Sequence, residues 1–158
     1  MKRIIIAKST GRGVGVSVVT KVLIDASQVE VFKYLAHLNY HLLWNPHIYS
    51  ITPLTALKLG TRYESESLIL GVSNKSTNEV IKFVALSELE LENKLGAIHY
   101  RINFRLSLKA TKTMIVCSTT VSTESKAFTY TAPILKRLVK RELQSDMQAL
   151  KIAIEDRL

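Results

Sequence analysis

The C-terminal part of the chain carries a long stripe of apolar side chains, and this stripe constrains the fold more than any other feature. Its members recur at steps of three and four residues, and they are Leu135, Val139, Leu143, Met147, Leu150 and Ile154. We predict one helix after Thr131, about seven turns or ~38 Å long at 1.5 Å per residue, with Pro133 in its first turn. A helix of that length buries its apolar face only against an equally long surface, which a sheet of several strands supplies.

The middle of the chain alternates apolar and polar residues, as half-buried strands do. Strands are predicted at residues 16–25, 47–57, 61–70, 77–92 and 97–109. The fourth of these is interrupted near Leu86-Ser87, and a last strand pairs with the fifth. This pattern predicts an antiparallel sheet.

Two short helices are predicted after the first strand. Ser27 and Glu30 have the spacing of a capping box, in which each side chain satisfies a backbone donor at the start of a helix. A helix is therefore expected over residues 26–35. A second one is expected from Tyr40 to Leu43, because Pro46 disfavours helix at the residue before it.

Two turns fix which residues face each other, because the length of a hairpin loop sets the register of its strands. A turn at Lys94-Leu95 predicts two apolar pairs and two polar ones: Leu89 with Tyr100, Leu91 with Ile98, Glu88 with Arg101, and Glu90 with His99. A turn at Ala110-Thr111 predicts three more pairs: Phe104 with Cys117, Ile102 with Thr119, and Tyr100 with Val121.

Composition limits the class of protein and the kind of partner. A chain of 158 residues with 47% hydrophobic residues fits one domain with a substantial core. No apolar run approaches the roughly 18 residues of a membrane span. The formal net charge of +9 favours anionic partners, or serves solubility alone. The single cysteine, Cys117, and the short apolar run that ends at Lys8 favour a cytoplasmic location over secretion.

Residues 1–15 stand apart from the rest of the chain. Gly11, Gly13 and Gly15 suggest a phosphate-binding loop, but such a loop needs a helix start directly after it. The residues from Val16 onward instead have a strand pattern. We therefore expect a flexible or extra-strand segment at 1–15, a single domain at 16–158, and neither a nucleotide site nor a nucleic-acid partner.

Three short segments and the closing helix carry a resemblance to a known family. The segments are residues 24–32 (IDASQVEVF), Trp44-Asn45-Pro46 and Gly60-Thr61-Arg62-Tyr63. In their order and spacing they resemble the START/Bet v 1-like (SRPBCC) superfamily, which includes polyketide cyclase/dehydrase and lipid-transport proteins. The resemblance covers about residues 16–157. It implies an α+β helix-grip fold, in which a curved antiparallel sheet wraps around the long C-terminal helix and encloses a cavity for apolar or amphipathic molecules.

The inward face of this fold supplies the candidate ligand site. Its predicted lining is Trp44, Tyr63, Phe83, Tyr100, Phe104, Cys117, Thr119, Leu135, Val139 and Leu143. Ser65 and Ser67 would orient a ligand by hydrogen bonds. The alternative is a solid core made of the same residues. We expect no cofactor.

Three side chains assigned to the inward face carry groups that could take part in chemistry: Glu79, Tyr100 and Cys117. The alternation that buries Ile81 and Phe83 turns Glu79 inward near the strand end, but an exposed position at that end is the favoured alternative. Facing inward, Glu79 or Tyr100 would be the proton donor or acceptor of an enzyme. Cys117 is expected to be an inert core thiol, since burial in apolar surroundings raises the pKa of a thiol.

A group of histidines and a group of lysines and arginines are two other candidate sites. His37 and His41 are four residues apart with His47 nearby, but no Glu or Cys accompanies them, so we expect no metal site.

Four cations lie close to the start of the last helix, where its dipole prefers anions: Lys136, Arg137, Lys140 and Arg141. They would meet an anionic membrane surface, or form a solvated face partly neutralised by Glu142 and Asp146.

Three functions remain open from the sequence. Binding or transport of a small hydrophobic molecule (a lipid, quinone or polyketide-like compound) is favoured over catalysis. A cyclase or dehydratase using the same pocket is the first alternative, and an interaction module using the basic surface is the second. The oligomeric state is not predicted.

Overall fold

The computed structural model describes residues 14–69, 71–123 and 128–157. It has three helices and seven strands in the order β-α-α-β-β-β-β-β-β-α. The helices are α1 (Gln28–Ala36), α2 (Leu38–Trp44) and α3 (Phe128–Glu155). The strands are β1 (Val14–Ile24), β2 (Ile48–Thr52), β3 (Arg62–Ile69), β4 (Val72–Val84), β5 (Glu88–Leu95), β6 (Ile98–Lys109) and β7 (Lys112–Thr123).

The seven strands form one antiparallel sheet in the order β1-β7-β6-β5-β4-β3-β2. The sheet curves around α3 and stays open, with β1 and β2 at its edges. This confirms the predicted α+β architecture, with two short helices after the first strand. Val14 and Gly15, which we assigned to the N-terminal segment, are the first residues of β1, and the predictions for residues 1–13 lie outside the described residues.

Helix α3 crosses the concave face of the sheet and buries its C-terminal half there. Four residues of the predicted stripe are buried: Leu143, Met147, Leu150 and Ile154. Two polar contacts fix the helix end to β1 and to the residue after it: Lys151 Nζ donates to the Leu23 carbonyl at 2.7 Å, and Glu155 Oε1 accepts from the Asp25 backbone N–H at 2.8 Å.

The start of α3 differs from our prediction. The helix begins at Phe128, before Thr131, so Pro133 lies in its second turn. The prediction placed the start after Thr131 because the apolar stripe that defined the helix was counted from Leu135.

Helices α1 and α2 pack together beneath one end of the sheet. Ser27 caps α1, as predicted, by accepting a hydrogen bond from the Glu30 N–H at 3.2 Å. Helix α2 is longer than predicted, and two of its ring nitrogens donate to carbonyls of α1: His41 Nε2 to Leu35 at 2.7 Å, and Trp44 Nε1 to Tyr34 at 3.2 Å. Burial lowers the pKa of His41 to about 4, so this ring is a neutral part of the core.

The register of the β5–β6 hairpin was predicted wrongly. The turn lies at Gly96-Ala97, and Gly96 has the positive φ of 58° that favours glycine. Leu89 therefore faces Phe104, Leu91 faces Ile102 and Glu90 faces Asn103, each shifted along β6 from the predicted partner. The shift is an even number of residues, so every side chain keeps its predicted face.

The charged face of the same hairpin shows the correct pairing. Glu88 faces Arg105, not Arg101, and accepts from Arg105 Nε at 3.2 Å. Hydrogen bonds from Lys82, Asn103 and Arg105 lower the pKa of Glu88 to about 2. The β6–β7 register agrees with the prediction, with Phe104 opposite Cys117.

A β-bulge in β4 overturns the inward orientation that alternation predicts for Glu79. The register between β4 and β5 shifts between Val80 and Lys82, so Asn78 and Val80 point inward on one side of the bulge and Phe83 on the other. Glu79 points outward and pairs with Arg62 at 3.0 Å. It is therefore no candidate for proton transfer in the cavity.

Candidate functional site

An apolar cavity lies between α2 and the inner faces of β3 to β6. Its volume is about 100 Å³. The ring residues that line it are His41, Trp44, Tyr63 and Phe104, and its aliphatic lining is Ile48, Leu91 and Ile102. Trp44 and Phe104 meet edge to face with ring centroids 6.5 Å apart, an arrangement that fixes both rings.

A strip of serine and asparagine side chains crosses one wall of this cavity. Ser65 and Ser76 share a hydrogen bond of 3.0 Å between their hydroxyls, and Asn78 Nδ2 donates to Ser65 Oγ at 2.9 Å. Asn93 Nδ2 donates to Asn78 Oδ1 at 2.6 Å and to Ser76 Oγ at 3.1 Å. Ser67 also lines the cavity. The network holds neutral donors and acceptors in fixed positions against an otherwise apolar space.

The Tyr63 hydroxyl belongs to this cavity but not to the network. Tyr63 is 6% exposed and lines the cavity together with Ser65 and Asn78. Burial raises the pKa of the phenol, so it remains a donor. A phenol at a cavity wall can donate a hydrogen bond to a ligand in the cavity.

A second cavity, of about 150 Å³, adjoins the first on the side of α3. The two share six lining residues, and so lie side by side: Asn45, Ile48, Ser67, Ser76, Asn93 and Ile102. The second cavity adds four groups that titrate or carry charge: His47, Tyr100, Glu142 and Asp146.

His47 and Asp146 face each other across this second cavity. His47 Nε2 and Asp146 Oδ1 are 3.7 Å apart, which is too long for a hydrogen bond, and neither atom has a hydrogen-bond partner among the described residues. Burial raises the pKa of Asp146 to about 7, against the opposing effect of His47 and with a smaller contribution from Glu142. The pair therefore places a carboxyl group that changes its charge near neutral pH inside the cavity.

An open apolar groove of about 320 Å³ continues from Tyr100 along the first half of α3. Its lining from α3 is Thr131, Ile134, Leu135 and Leu138, and from the sheet it is Ile98, Tyr100 and Val121. Ile134 is 65% exposed. The first half of α3 thus presents apolar side chains to solvent, in contrast to its buried second half.

The structure brings together some of the predicted site residues and separates others. Trp44, Tyr63 and Phe104 line the inner cavity, Tyr100 lies where the second cavity meets the groove, and Leu135 lies in the groove. The remaining predicted residues pack in or against the core around this space: Phe83, Cys117, Thr119, Val139 and Leu143.

Two of these core residues need a separate description. Phe83 stacks edge to face on Phe32 of α1, with ring centroids 5.4 Å apart. Cys117 is fully buried on β7, and burial raises the pKa of its thiol, as predicted. Neither Phe83 nor Cys117 is a lining residue of the two adjoining cavities.

The four cations of α3 lie on its outer side, beside the groove. Because α3 begins at Phe128, they occupy its third and fourth turns, beyond the reach of the helix dipole. Arg137, Lys140 and Arg141 are exposed. No ion pair joins any of the four to an acid within the described ranges, and Asp146 points into the cavity. Neutralisation by Asp146, which we considered, is therefore not observed.

The described part of the chain holds no group of three or more potential metal ligands. His37, His41 and His47 have separate roles: His37 precedes α2, His41 is a core residue, and His47 faces Asp146. No helix among the residues described is both long and apolar enough to cross a membrane.

Sequence reasoning missed the two acids of the cavity and the two asparagines. The signal for Asp146 was present, since it lies three residues after Leu143 and four before Leu150, on the apolar stripe. Asn78 and Asn93 gave no such signal, because their inward orientation depends on the bulge in β4 and on the shifted turn.

No family model and no curated protein matches this chain. Several solved structures match it in fold. A START superfamily protein from Mycobacterium smegmatis has a TM-score of 0.75 at 15% identity, covering 90% of this chain and 99% of its own. The structure of Ara h 8.0201 has a TM-score of 0.71 at 13% sequence identity, and the match covers 90% of this chain and 99% of Ara h 8.0201. The structure of the Zhui aromatase/cyclase from Streptomyces sp. R1128 has a TM-score of 0.75 at 18% sequence identity, and the match covers 90% of this chain and 95% of the aromatase/cyclase. At these identities the likeness shows a shared fold.

Proposed function

We propose that this chain, which has the helix-grip fold of START and Bet v 1-like proteins, binds a small hydrophobic molecule between its sheet and α3. The observation that carries the proposal is the cavity itself, in which Trp44, Tyr63 and Phe104 form an apolar wall opposite the serine and asparagine strip. A cavity that is mainly apolar and has a few fixed polar groups is typical of a small-molecule site.

The cavity geometry favours a compact ligand. Two adjoining spaces of about 100 and 150 Å³ accept a small ring compound. The rings of Trp44 and Phe104 would contact its apolar body, and Tyr63 would donate to an oxygen on it. A longer chain on the ligand would extend into the groove beside Leu135.

Cyclase-type catalysis in the same cavity is the second candidate. The unpaired His47 and Asp146 favour it, because a histidine facing a carboxyl group with a pKa of about 7 is suited to proton transfer. Tyr100, whose pKa burial raises, would be a proton donor beside them. If the compound recovered from the protein is chemically changed, the protein is an enzyme. If it is recovered unchanged, the protein binds or transports it.

Filling the cavity tests the binding proposal directly. Ile102 lines both adjoining spaces, so Ile102→Trp should place an indole where the ligand lies. We expect the affinity for 1-naphthalenemethanol, measured by its fluorescence, to fall at least tenfold. The matched control is Leu108→Trp on the same strand, at a position that is 59% exposed. Equal affinities of the two variants would contradict the proposal.

We further propose that the four cations of α3 dock the protein on an anionic membrane surface, next to the groove. Basic residues beside exposed apolar side chains are the combination that interfacial helices use. Here Ile134 is exposed next to Arg137, Lys140 and Arg141. A cytoplasmic location, which the sequence suggested, stays a prediction.

Charge reversal separates this docking from a simple effect of net charge. Replacing Lys136, Arg137, Lys140 and Arg141 with Glu should reduce binding to phosphatidylserine-containing vesicles about tenfold or more in sedimentation assays, since each cation near the surface contributes about 1 kcal/mol. The control reverses four exposed cations elsewhere: Lys21, Lys58, Lys109 and Arg157. If both quadruple variants lose binding equally, the α3 surface has no specific role.

A further inference from the structure

We propose that the cavity selects an apolar molecule bearing a protonated amine, with Asp146 and Glu142 as its counter-ions, and rejects carboxylates. This inference rests on the proposed binding function and specifies the chemical class of the ligand. It concerns the end of the cavity next to α3, where the two acids lie one helical turn apart.

The cavity has the opposite charge to the protein that surrounds it. The chain as a whole has a formal net charge of +9. Yet none of its described lysines or arginines lines either adjoining cavity or the groove, whereas Glu142 and Asp146 do. A ligand carboxylate would meet two acids there and no lysine or arginine, with His47 as the single group able to carry a positive charge among the described lining residues, so a fatty acid is a poor candidate for this site.

The two acids lack a permanent cationic partner. Within the described residues, the group that faces Asp146 is His47, 3.7 Å away, and no lysine or arginine pairs with either acid. A partly buried carboxylate without a cation is costly. A ligand ammonium group would supply the missing charge, and the cost of burying the carboxylate is then offset when the ligand binds.

The geometry around the acids also suits an ammonium group. Asp146 Oδ1 and His47 Nε2 have no hydrogen-bond partners in the described chain, and a modest movement of either side chain would let them accept from an ammonium, which has three donors. The Tyr100 ring lines the same cavity and can contact a cation with its face.

The inner cavity supplies a hydrogen-bond donor at the other end. Tyr63 is almost completely buried and lines the inner cavity, and Asp146 lines the second cavity, where its Oδ1 is buried without a hydrogen-bond partner. The two side chains therefore lie in adjoining cavities. The ligand that fits this pattern has an oxygen acceptor at one end of its ring system and an amine at the other.

The pH dependence follows from the groups that face Asp146. These are His47, Glu142 on its own helix, Tyr100 across the cavity, and the protonated thiol of Cys117. The pKa of Asp146 is about 7, so the carboxylate becomes fully charged only above neutral pH. Affinity for an amine that stays protonated should therefore increase between pH 5.5 and 8, and affinity for a neutral alcohol should not.

Three probes with one ring system test the inference: 1-naphthylmethylamine, 1-naphthalenemethanol and 1-naphthoic acid. At pH 8 we expect the amine to bind at least tenfold more tightly than the alcohol, and the acid to bind most weakly, measured by isothermal titration calorimetry. Asp146→Asn or Glu142→Gln should reduce the advantage of the amine and leave the affinity for the alcohol within a factor of two. Asp156→Asn, an exposed acid just beyond α3, is the matched control.

The outcomes distinguish the inference from the proposed function. If the acid or the alcohol binds as tightly as the amine, or if Asp146→Asn retains the full preference, the charge selectivity is wrong and the binding function stands. If none of the three probes binds, both are wrong. The net positive charge of the protein acts against the amine, so a preference for it must come from the cavity.

Discussion

Leu150→Ala should lower the free energy of unfolding by about 3 kcal/mol, the typical loss when a buried leucine is truncated in a well-packed core. Leu150 is fully buried at the centre of the α3 stripe, between Met147 and Ile154. Truncation removes apolar contacts and leaves a cavity that the curved sheet cannot close. Urea unfolding followed by circular dichroism measures the loss.

A control on the same helix makes this result specific. Ile152 is 50% exposed on α3, and Ile152→Ala should change the free energy of unfolding by about 0.5 kcal/mol or less. A similar effect of the two substitutions would show that α3 does not bury the face assigned to it, and the cavity wall described above would then be wrong.

Asp146→Asn should stabilise the protein at pH 8 and have little effect at pH 4. Burial raises the pKa of Asp146 from 3.8 to about 7 in the folded state. The difference corresponds to about 4 kcal/mol, which its partial exposure to solvent reduces to about 2 kcal/mol. Its side chain is 18% exposed. Removing the carboxylate therefore removes a cost that folding imposes at alkaline pH.

The sign of this effect depends on pH in a defined way. Well below pH 4 the carboxyl group is protonated in both the folded and the unfolded state, so it contributes nothing to stability. Between pH 4 and 7 the unfolded chain loses the proton while the folded chain keeps it, and the cost of the carboxylate grows. Above pH 7 the cost is constant. Denaturant unfolding of both proteins from pH 4 to 8 measures it, and a difference independent of pH would contradict the assignment.

The sequence predicted the sheet faces and the long helix because both depend on local periodicity. The steps of three and four from Leu143 to Ile154 are sufficient for α3, and alternation along residues 98–106 is sufficient for the inward face of β6. The β6–β7 register was also predictable, since Ala110 lies in the tight turn that closes that hairpin, with φ 55°.

The errors have a common physical origin in single residues that alter a strand locally. Choosing Lys94-Leu95 instead of Gly96-Ala97 as the turn displaced every partner along β6 and still kept the faces, because the error was an even number of residues. The bulge near Ile81 reversed the alternation in β4, and alternation alone predicts no bulge. Alternation therefore turned Glu79 inward in place of Asn78.

The site was less predictable than the fold, because its polar groups come from distant segments. Asp146 and His47 are separated by most of the chain, and only the packing of α3 against β1 and α2 brings them within 3.7 Å. The asparagine and serine strip needs the registers of β3, β4 and β5 together. Sequence periodicity assigns residues to faces, whereas the cavity depends on which faces meet.

The central claim is that a small molecule binds between α3 and the inner face of the sheet. Intermolecular nuclear Overhauser effects between the ring protons of bound 1-naphthalenemethanol and the protein test it most directly. We predict contacts to the side chains of Ile48, Leu91 and Ile102, which line the adjoining cavities. Contacts only to exposed apolar residues such as Val19 and Leu108 would contradict the claim, as would the absence of any contact at saturating probe.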